Sequence, residues 1–188
     1  MRVIAGDFKG RKLVSPKGTD VRPTSDRVKE AIFSMVQPAL PGATCLDLFA
    51  GTGALGIEAL SRGARRVYFC DNADMSLAAV RQNLDACRVE GPRAAVMKAD
   101  WRASVKNIEE KCNIVFIDAP YHMCEHYSEI LKTLAVQGLL TTGALVALER
   151  DAGMGGYLMP AGFERIREKR YGGVGVDLLV YTEGGTTE

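Results

Sequence analysis

A chain of 188 residues with 47% apolar and 25% charged side chains closes one core and is neither disordered nor fibrous in composition. Its formal net charge of +1 by itself points to no particular partner. No apolar run resembles a signal peptide or reaches membrane-spanning length, and five cysteines without a C-x-x-C pair fit a reducing cytoplasm better than a disulfide framework.

The charge is unevenly spread. Residues 1–30 carry eight basic side chains (Arg2, Lys9, Arg11, Lys12, Lys17, Arg22, Arg27 and Lys29) against four acidic ones. A basic end of this kind attracts polyanions. Residues 2–5 and 11–14 flank the turn-forming "GDFKG" and predict a short hairpin, followed by a loop over 15–24. Thr24 or Ser25 caps a helix running to about Met35, with Val28, Ile32, Phe33 and Val36 on one face. From Thr44 the pattern alternates. Strands are predicted at 44–49, 66–70, 94–98, 113–117 and 144–149, and helices at about 54–62, 74–87, 102–109 and 124–136. Repeated βα units of this length build a doubly wound, mainly parallel α/β sheet. The final stretch predicts two more strands joined at Gly172–Gly173, an antiparallel hairpin at the edge of a seven-stranded sheet. The expected organisation is an N-terminal hairpin and helix extension over 1–40, a main domain over 41–183 and a tail over 184–188.

The first βα turn reads "DLFAGTGALG". Gly51, Gly53 and Gly56 match G-x-G-x-x-G, the fingerprint of a dinucleotide site. Asp47, four residues before Gly51, separates two ligands. A pyrophosphate at the helix N-terminus would meet this carboxylate as a like charge. S-adenosylmethionine instead offers an ammonium and a sulfonium, which Asp47 attracts. Asp71 ends the second strand twenty residues beyond Gly51 and suits the hydroxyls of a ribose. Asp100–Trp101 ends the third. Asp100 suits an adenine edge, while Trp101 either covers that ring or packs into the core.

"FIDAPYH" ends the fourth strand. Pro120 fixes its own φ and pushes Ala119 toward extended geometry, which aims the Asp118 carboxylate and the Ala119 carbonyl into one space. Two acceptors there suit the two N–H donors of an exocyclic amine. Tyr121 offers a face on which a base stacks. His122, Cys124 and His126 follow, but they are too few for a structural zinc site, and no metal is expected.

Together, "DLFAGTGALGIEALSRGA" and "DAPY" resemble class I S-adenosylmethionine-dependent methyltransferases that act on exocyclic amines. The opening "MRVIAGDFKGRKLVSPKG…VRPTSDRVKEAIF" is similar to the bacterial family that methylates the guanine N2 amine in small-subunit ribosomal RNA. The resemblance runs from Arg2 to about Tyr181. It implies a Rossmann-like fold, S-adenosylmethionine as cofactor and ribosomal RNA or the small ribosomal subunit as partner. It also implies that Asp47, Phe49, Ala50, Gly51 and Gly53 surround the methionine part, Asp71 and Asn72 the ribose, and Asp100 and Trp101 the adenine. Asp118, Ala119, Pro120 and Tyr121 would hold the target base. Arg2, Lys9, Arg11, Lys12 and Lys17 would contact RNA, with Arg22, Thr24 and Arg27 nearer the pocket. Ala119 replaces the first proline usual in the family's D/N/S-P-P-Y/F motif, which keeps the carbonyl but loses rigidity. The rival readings are a DNA or RNA adenine-N6 methyltransferase, an NAD-dependent oxidoreductase and a non-catalytic RNA-binding assembly factor. The size predicts a monomer.

Overall fold

The computed structural model describes residues 1–15, 25–154 and 156–184, and for Tyr121 and His122 the backbone alone. Seven strands are present among them: β1 (Thr44–Asp47), β2 (Arg66–Asp71), β3 (Ala94–Lys98), β4 (Cys112–Ile117), β5 (Leu140–Asp151), β6 (Phe163–Tyr171) and β7 (Val174–Tyr181). They form one sheet in the order β3-β2-β1-β4-β5-β7-β6. β1 to β5 pair in parallel, and β7 runs antiparallel between β5 and β6. The doubly wound, mainly parallel expectation and the edge hairpin both match. Strand order reverses between β1 and β4, and ligands of such sheets bind beyond the carboxyl ends of the strands at that point.

Five α-helices cover the two faces: α1 (Asp26–Val36), α2 (Ala54–Ser61), α3 (Asp74–Ala86), α4 (Trp101–Ser104) and α5 (Tyr127–Val136). α1 starts where the sequence places a cap, with the Ser25 hydroxyl accepting from the Val28 N–H at 3.3 Å. Alternate strand residues face opposite ways, so the core divides into two clusters. Ile32, Ile57 and Val80 of α1, α2 and α3 pack with Cys45, Phe69 and Phe116 on one face. Trp101 and Ile130 of α4 and α5 pack with Leu46, Tyr68, Val115 and Val146 on the other. Phe33 stacks at 5.5 Å on Phe116, so α1 of the expected extension shares the main core. α2 lies so close to β2 that a Cβ at Gly56 would sit 2.2 Å from the Phe69 ring.

Three elements differ from expectation. The 102–109 helix is one turn of α4 followed by a 3-10 turn over Val105–Asn107. The helix expected from 124 is preceded by a 3-10 turn over Tyr121–His126 that follows Pro120, and regular α-helix starts at Tyr127. The N-terminal hairpin closes through a single bridge, Arg2 to Lys12, rather than two strands. Val3, Gly10 and Leu13 donate across the hairpin, and other amides find acceptors outside it. Ile4 and Ala5 donate to the Glu58 carboxylate at 2.8 and 3.0 Å, and Phe8 donates to the Ser61 hydroxyl at 2.9 Å. Val14 donates to the Asn83 side chain at 2.8 Å. Glu58 also pairs with Lys29 at 3.3 Å, and neither side chain is exposed. Lys29 donates in turn to the Arg2 carbonyl. The hairpin is therefore a strap stitched to α2 and α3.

β6 forms one edge of the sheet and β3 the other. The β6 residues from Glu164 to Arg170 are exposed and mostly charged, which discourages edge-to-edge pairing. The second basic group, Arg165, Arg167, Lys169 and Arg170, lies on this solvated strand, with Arg165 paired to Asp177 and Arg170 to Glu168. All five cysteines, Cys45, Cys70, Cys87, Cys112 and Cys124, are free and buried. Burial pushes the Cys70 and Cys112 thiols up to about 12. No described helix is long and apolar enough to cross a membrane.

Candidate active site

Register and alternation fix where the acidic side chains fall. Asp47 pairs with Phe69 of β2 and with Phe116 of β4. Asp71 and Asp118 follow those phenylalanines by two residues, so both project from the same face as Asp47. They also stand two residues further toward the carboxyl edge, about 7 Å beyond it. Ile117 pairs with Leu148, which puts Asp118 level with Glu149 of β5. Glu149 follows Ala147, and Ala147 belongs to the same core cluster as Phe69 and Phe116. Four carboxylates thus form a row across β2, β1, β4 and β5, spanning three interstrand steps, or about 14 Å.

Asp47 is recessed below the others and is 1% exposed. Its Oδ2 accepts from the Gly56 N–H at 2.9 Å, while no described group donates to its Oδ1. Burial pushes its carboxyl up to about 7; the Gly56 hydrogen bond opposes this, and the charges of Asp118 and Asp71 reinforce it. A buried acceptor with a free lone pair among negative neighbours fits a cationic donor, such as the ammonium of a methionine moiety, and disfavours a phosphate.

The glycine turn supports this pocket. Gly53, in the left-handed region at φ +76°, is the residue from which α2 departs. The Gly51 N–H donates to Asp71 Oδ2 at 2.8 Å, and the Ala73 N–H to Asp71 Oδ1 at 2.9 Å. These bonds lock Asp71 beside the turn and leave each oxygen a second lone pair for a hydroxyl. Phe49 is half-buried and Ala50 buried at the same turn, and Asn72 stays exposed past β2. Asp100 is exposed and caps α4 by accepting from the Ala103 N–H at 3.0 Å. Trp101 takes the core placement of the two left open. It is 4% exposed, the Arg102 guanidinium lies 4.4 Å from its ring centroid, and no described group accepts from its indole N–H.

Asp118 is half-buried, Ala119 is 3% exposed and Pro120 is exposed. Pro120 is extended (φ −51°, ψ 139°), and its carbonyl accepts from the Met123 N–H at 2.7 Å, which fixes the turn. Behind it, the Tyr127 hydroxyl donates to the Glu149 carbonyl at 2.8 Å. Burial raises the Tyr127 hydroxyl well above its ordinary value, and the Cys124 contact and the charges of Asp118 and Glu149 add to this.

Among the basic candidates, Arg2, Lys9, Arg11, Lys12 and Arg27 are exposed. Arg2 pairs with Asp26 at 3.3 Å, and Arg27 lies 5.4 Å from the Tyr171 ring centroid. Lys17, Arg22 and Thr24 lie outside the described residues. Sequence reasoning missed Glu149, whose only signal was a carboxylate closing an apolar strand. It also missed Lys29, Glu58, Ser61 and Asn83. The signal for Glu58 was a charge inside the apolar run "ALGIEAL".

The family model described as Conserved hypothetical protein 95 matches residues 1–180. The ribosomal RNA small subunit methyltransferase D of Escherichia coli K12 is 34% identical over 175 residues, covering 93% of this chain and 86% of the relative. Its namesake in Haemophilus influenzae is 33% identical over 153 residues, covering 80% and 79%. The solved structure of yhhF from Escherichia coli superposes with a TM-score of 0.87 at 33% identity, over 97% of this chain and 98% of that one.

Proposed function

The chain belongs to the Conserved hypothetical protein 95 family, and from that premise we propose that it methylates the exocyclic N2 amine of a guanine in small-subunit ribosomal RNA, with S-adenosylmethionine as donor. The observation that carries this reading is the placement of Asp47 and Asp118 on one face of adjacent strands, with a buried acceptor on Asp47 ready for a cation. Asp47 would hold the methionine ammonium, Asp71 and Asn72 the ribose, and Asp100 the adenine edge. Phe49, Ala50, Gly51 and Gly53 shape the floor. Bound S-adenosylmethionine supplies a methyl group made electrophilic by the sulfonium.

The rest is the work of Asp118, Ala119, Pro120 and Tyr121. The N2 lone pair of guanine is delocalised into the ring, so the amine is a poor nucleophile. An N–H bond to each of the Asp118 carboxylate and the Ala119 carbonyl favours a pyramidal nitrogen and stabilises the positive charge that develops on it. Pro120 supports this geometry, and Tyr121 offers a stacking face. Positioning on rigid strand ends supplies much of the remaining acceleration. The base must leave its stack to reach Asp118. Lys9, Arg11 and Lys12 on the strap would contact phosphates and set the register of the RNA.

Methyl transfer from labelled S-adenosylmethionine to ribosomal subunits of a deletion strain, with the product mapped by mass spectrometry, tests the assignment. N2-methylguanine is expected; N6-methyladenine would overturn it. Asp118→Ala is expected to lose at least about 100-fold in kcat while binding the cofactor normally. Near-normal turnover of that variant would remove Asp118 from the mechanism.

A further inference from the structure

We propose that Glu149 is a specificity-determining residue, the group that reads the N1–H of the target guanine beside Asp118. The inference rests on the guanine-amine reading above and names a residue which that reading does not use.

Glu149 is placed by three independent contacts. Parallel pairing of Ile117 with Leu148 sets it level with Asp118, one strand away. Antiparallel pairing with Val176 of β7 holds its other side. The Tyr127 hydroxyl bonds its carbonyl at 2.8 Å, which fixes its height at the sheet edge. Its side chain shares the face of Asp118 and Asp47, because Ala147, Phe116 and Cys45 two residues earlier all belong to one cluster. Glu149 is 7% exposed and sits at the end of the run "ALVAL", where an apolar residue would pack at lower cost. The neighbouring Arg150 does not neutralise the site edge from that face. It points to the other face and is engaged by Asp177 at 3.0 Å and Glu168 at 2.6 Å.

The chemistry of the base completes the argument. Guanine presents its N2 amine and N1–H as adjacent donors, whereas adenine presents N1 as an acceptor. With the amine held by Asp118 and the Ala119 carbonyl, the next group along the edge is N1–H. A carboxylate at the height of Asp118 accepts it and repels a ring whose N1 is a lone pair. Two carboxylates side by side thereby admit guanine and reject a base with only the amine in common.

The test uses the full-length enzyme and an RNA fragment that carries, at the mapped target position, either guanine or 2-aminopurine. The latter keeps the 2-amine but has an unprotonated N1. Wild-type enzyme is expected to prefer guanine by at least about 100-fold in kcat/KM. In Glu149→Gln, whose amide can donate to N1, the preference is expected to fall below about 10-fold, with unchanged cofactor affinity and Tm. Glu149→Asp keeps the charge and is expected to keep the preference with a lower kcat. This variant serves if the amide does not fold.

A wild-type enzyme that does not discriminate overturns the assignment, as does a Glu149→Gln enzyme that discriminates as well as wild type. Loss of the preference in Glu149→Asp, folded and binding cofactor, overturns it too. Mapping of the wild-type product on ribosomal subunits to a group other than guanine N2 overturns the guanine-amine reading itself and this assignment with it.

Discussion

Asp47 is the residue on which pH should act. Its carboxyl is pushed up to about 7 from an ordinary value near 3.8, chiefly by burial. The ligand-free fold therefore prefers the protonated acid. The corresponding stability is fully present below about pH 4 and is lost as pH rises through about 7. The difference in Tm between wild type and Asp47→Asn should follow that course across pH 4–8; a difference constant with pH would show that Asp47 ionises normally. A cationic ligand reverses the preference by pulling the proton off, so cofactor binding should release up to one proton near pH 6.5. The identity of Asp47 and its place before the glycines were legible because a motif fixes them. Its recess was not. That depends on register with Phe69 and Phe116, which are 22 and 69 positions further along the chain.

At the scale of elements, the strap and α2 depend on one another. Glu58 accepts from two strap amides and from Arg62 at 2.8 Å, and forms an ion pair with the buried Lys29. Glu58→Ala would strand the Lys29 ammonium in a dry core, which costs about 3–5 kcal/mol. For a chain of this size that is a fall in Tm of about 10 °C. Hydrogen exchange should show protection lost first at Ile4, Ala5 and Phe8; protection retained there would mean that the strap holds without Glu58. The sequence predicted the hairpin as an isolated pair of strands. Its acceptors lie 53 to 69 positions away, on helices that read as ordinary amphipathic or buried segments. Strands with continuous apolar runs and glycine-bounded turns were legible to within a few residues. The 3-10 turn that ends the helix after Asp100 and the one that opens the helix before Tyr127 were not, since apolar periodicity does not separate the two helix types over three to six residues.

For the whole molecule, a net charge of +1 hides a polarised surface. If Lys9, Arg11 and Lys12 contact phosphates, each alanine substitution should weaken RNA binding equally for any sequence. Each should also reduce the slope of log K against log salt by about one, with cofactor binding untouched. An unchanged slope would place the RNA elsewhere. Fold class, strand number and hairpin were readable because βα periodicity and turn chemistry are local. Three members of the carboxylate row were readable, Asp47 and Asp118 from their motifs and Asp71 from its place at the end of the second strand, and Glu149 was not. The five buried thiols carry a last consequence. Only a thiolate attacks a maleimide or a peroxide quickly, and at Cys45, Cys70, Cys87 and Cys112 burial both suppresses the thiolate form and shields it. Modification of these four thiols must therefore wait for the structure around them to open, whereas a methionine such as the exposed Met75 stays open to oxidants in the folded chain.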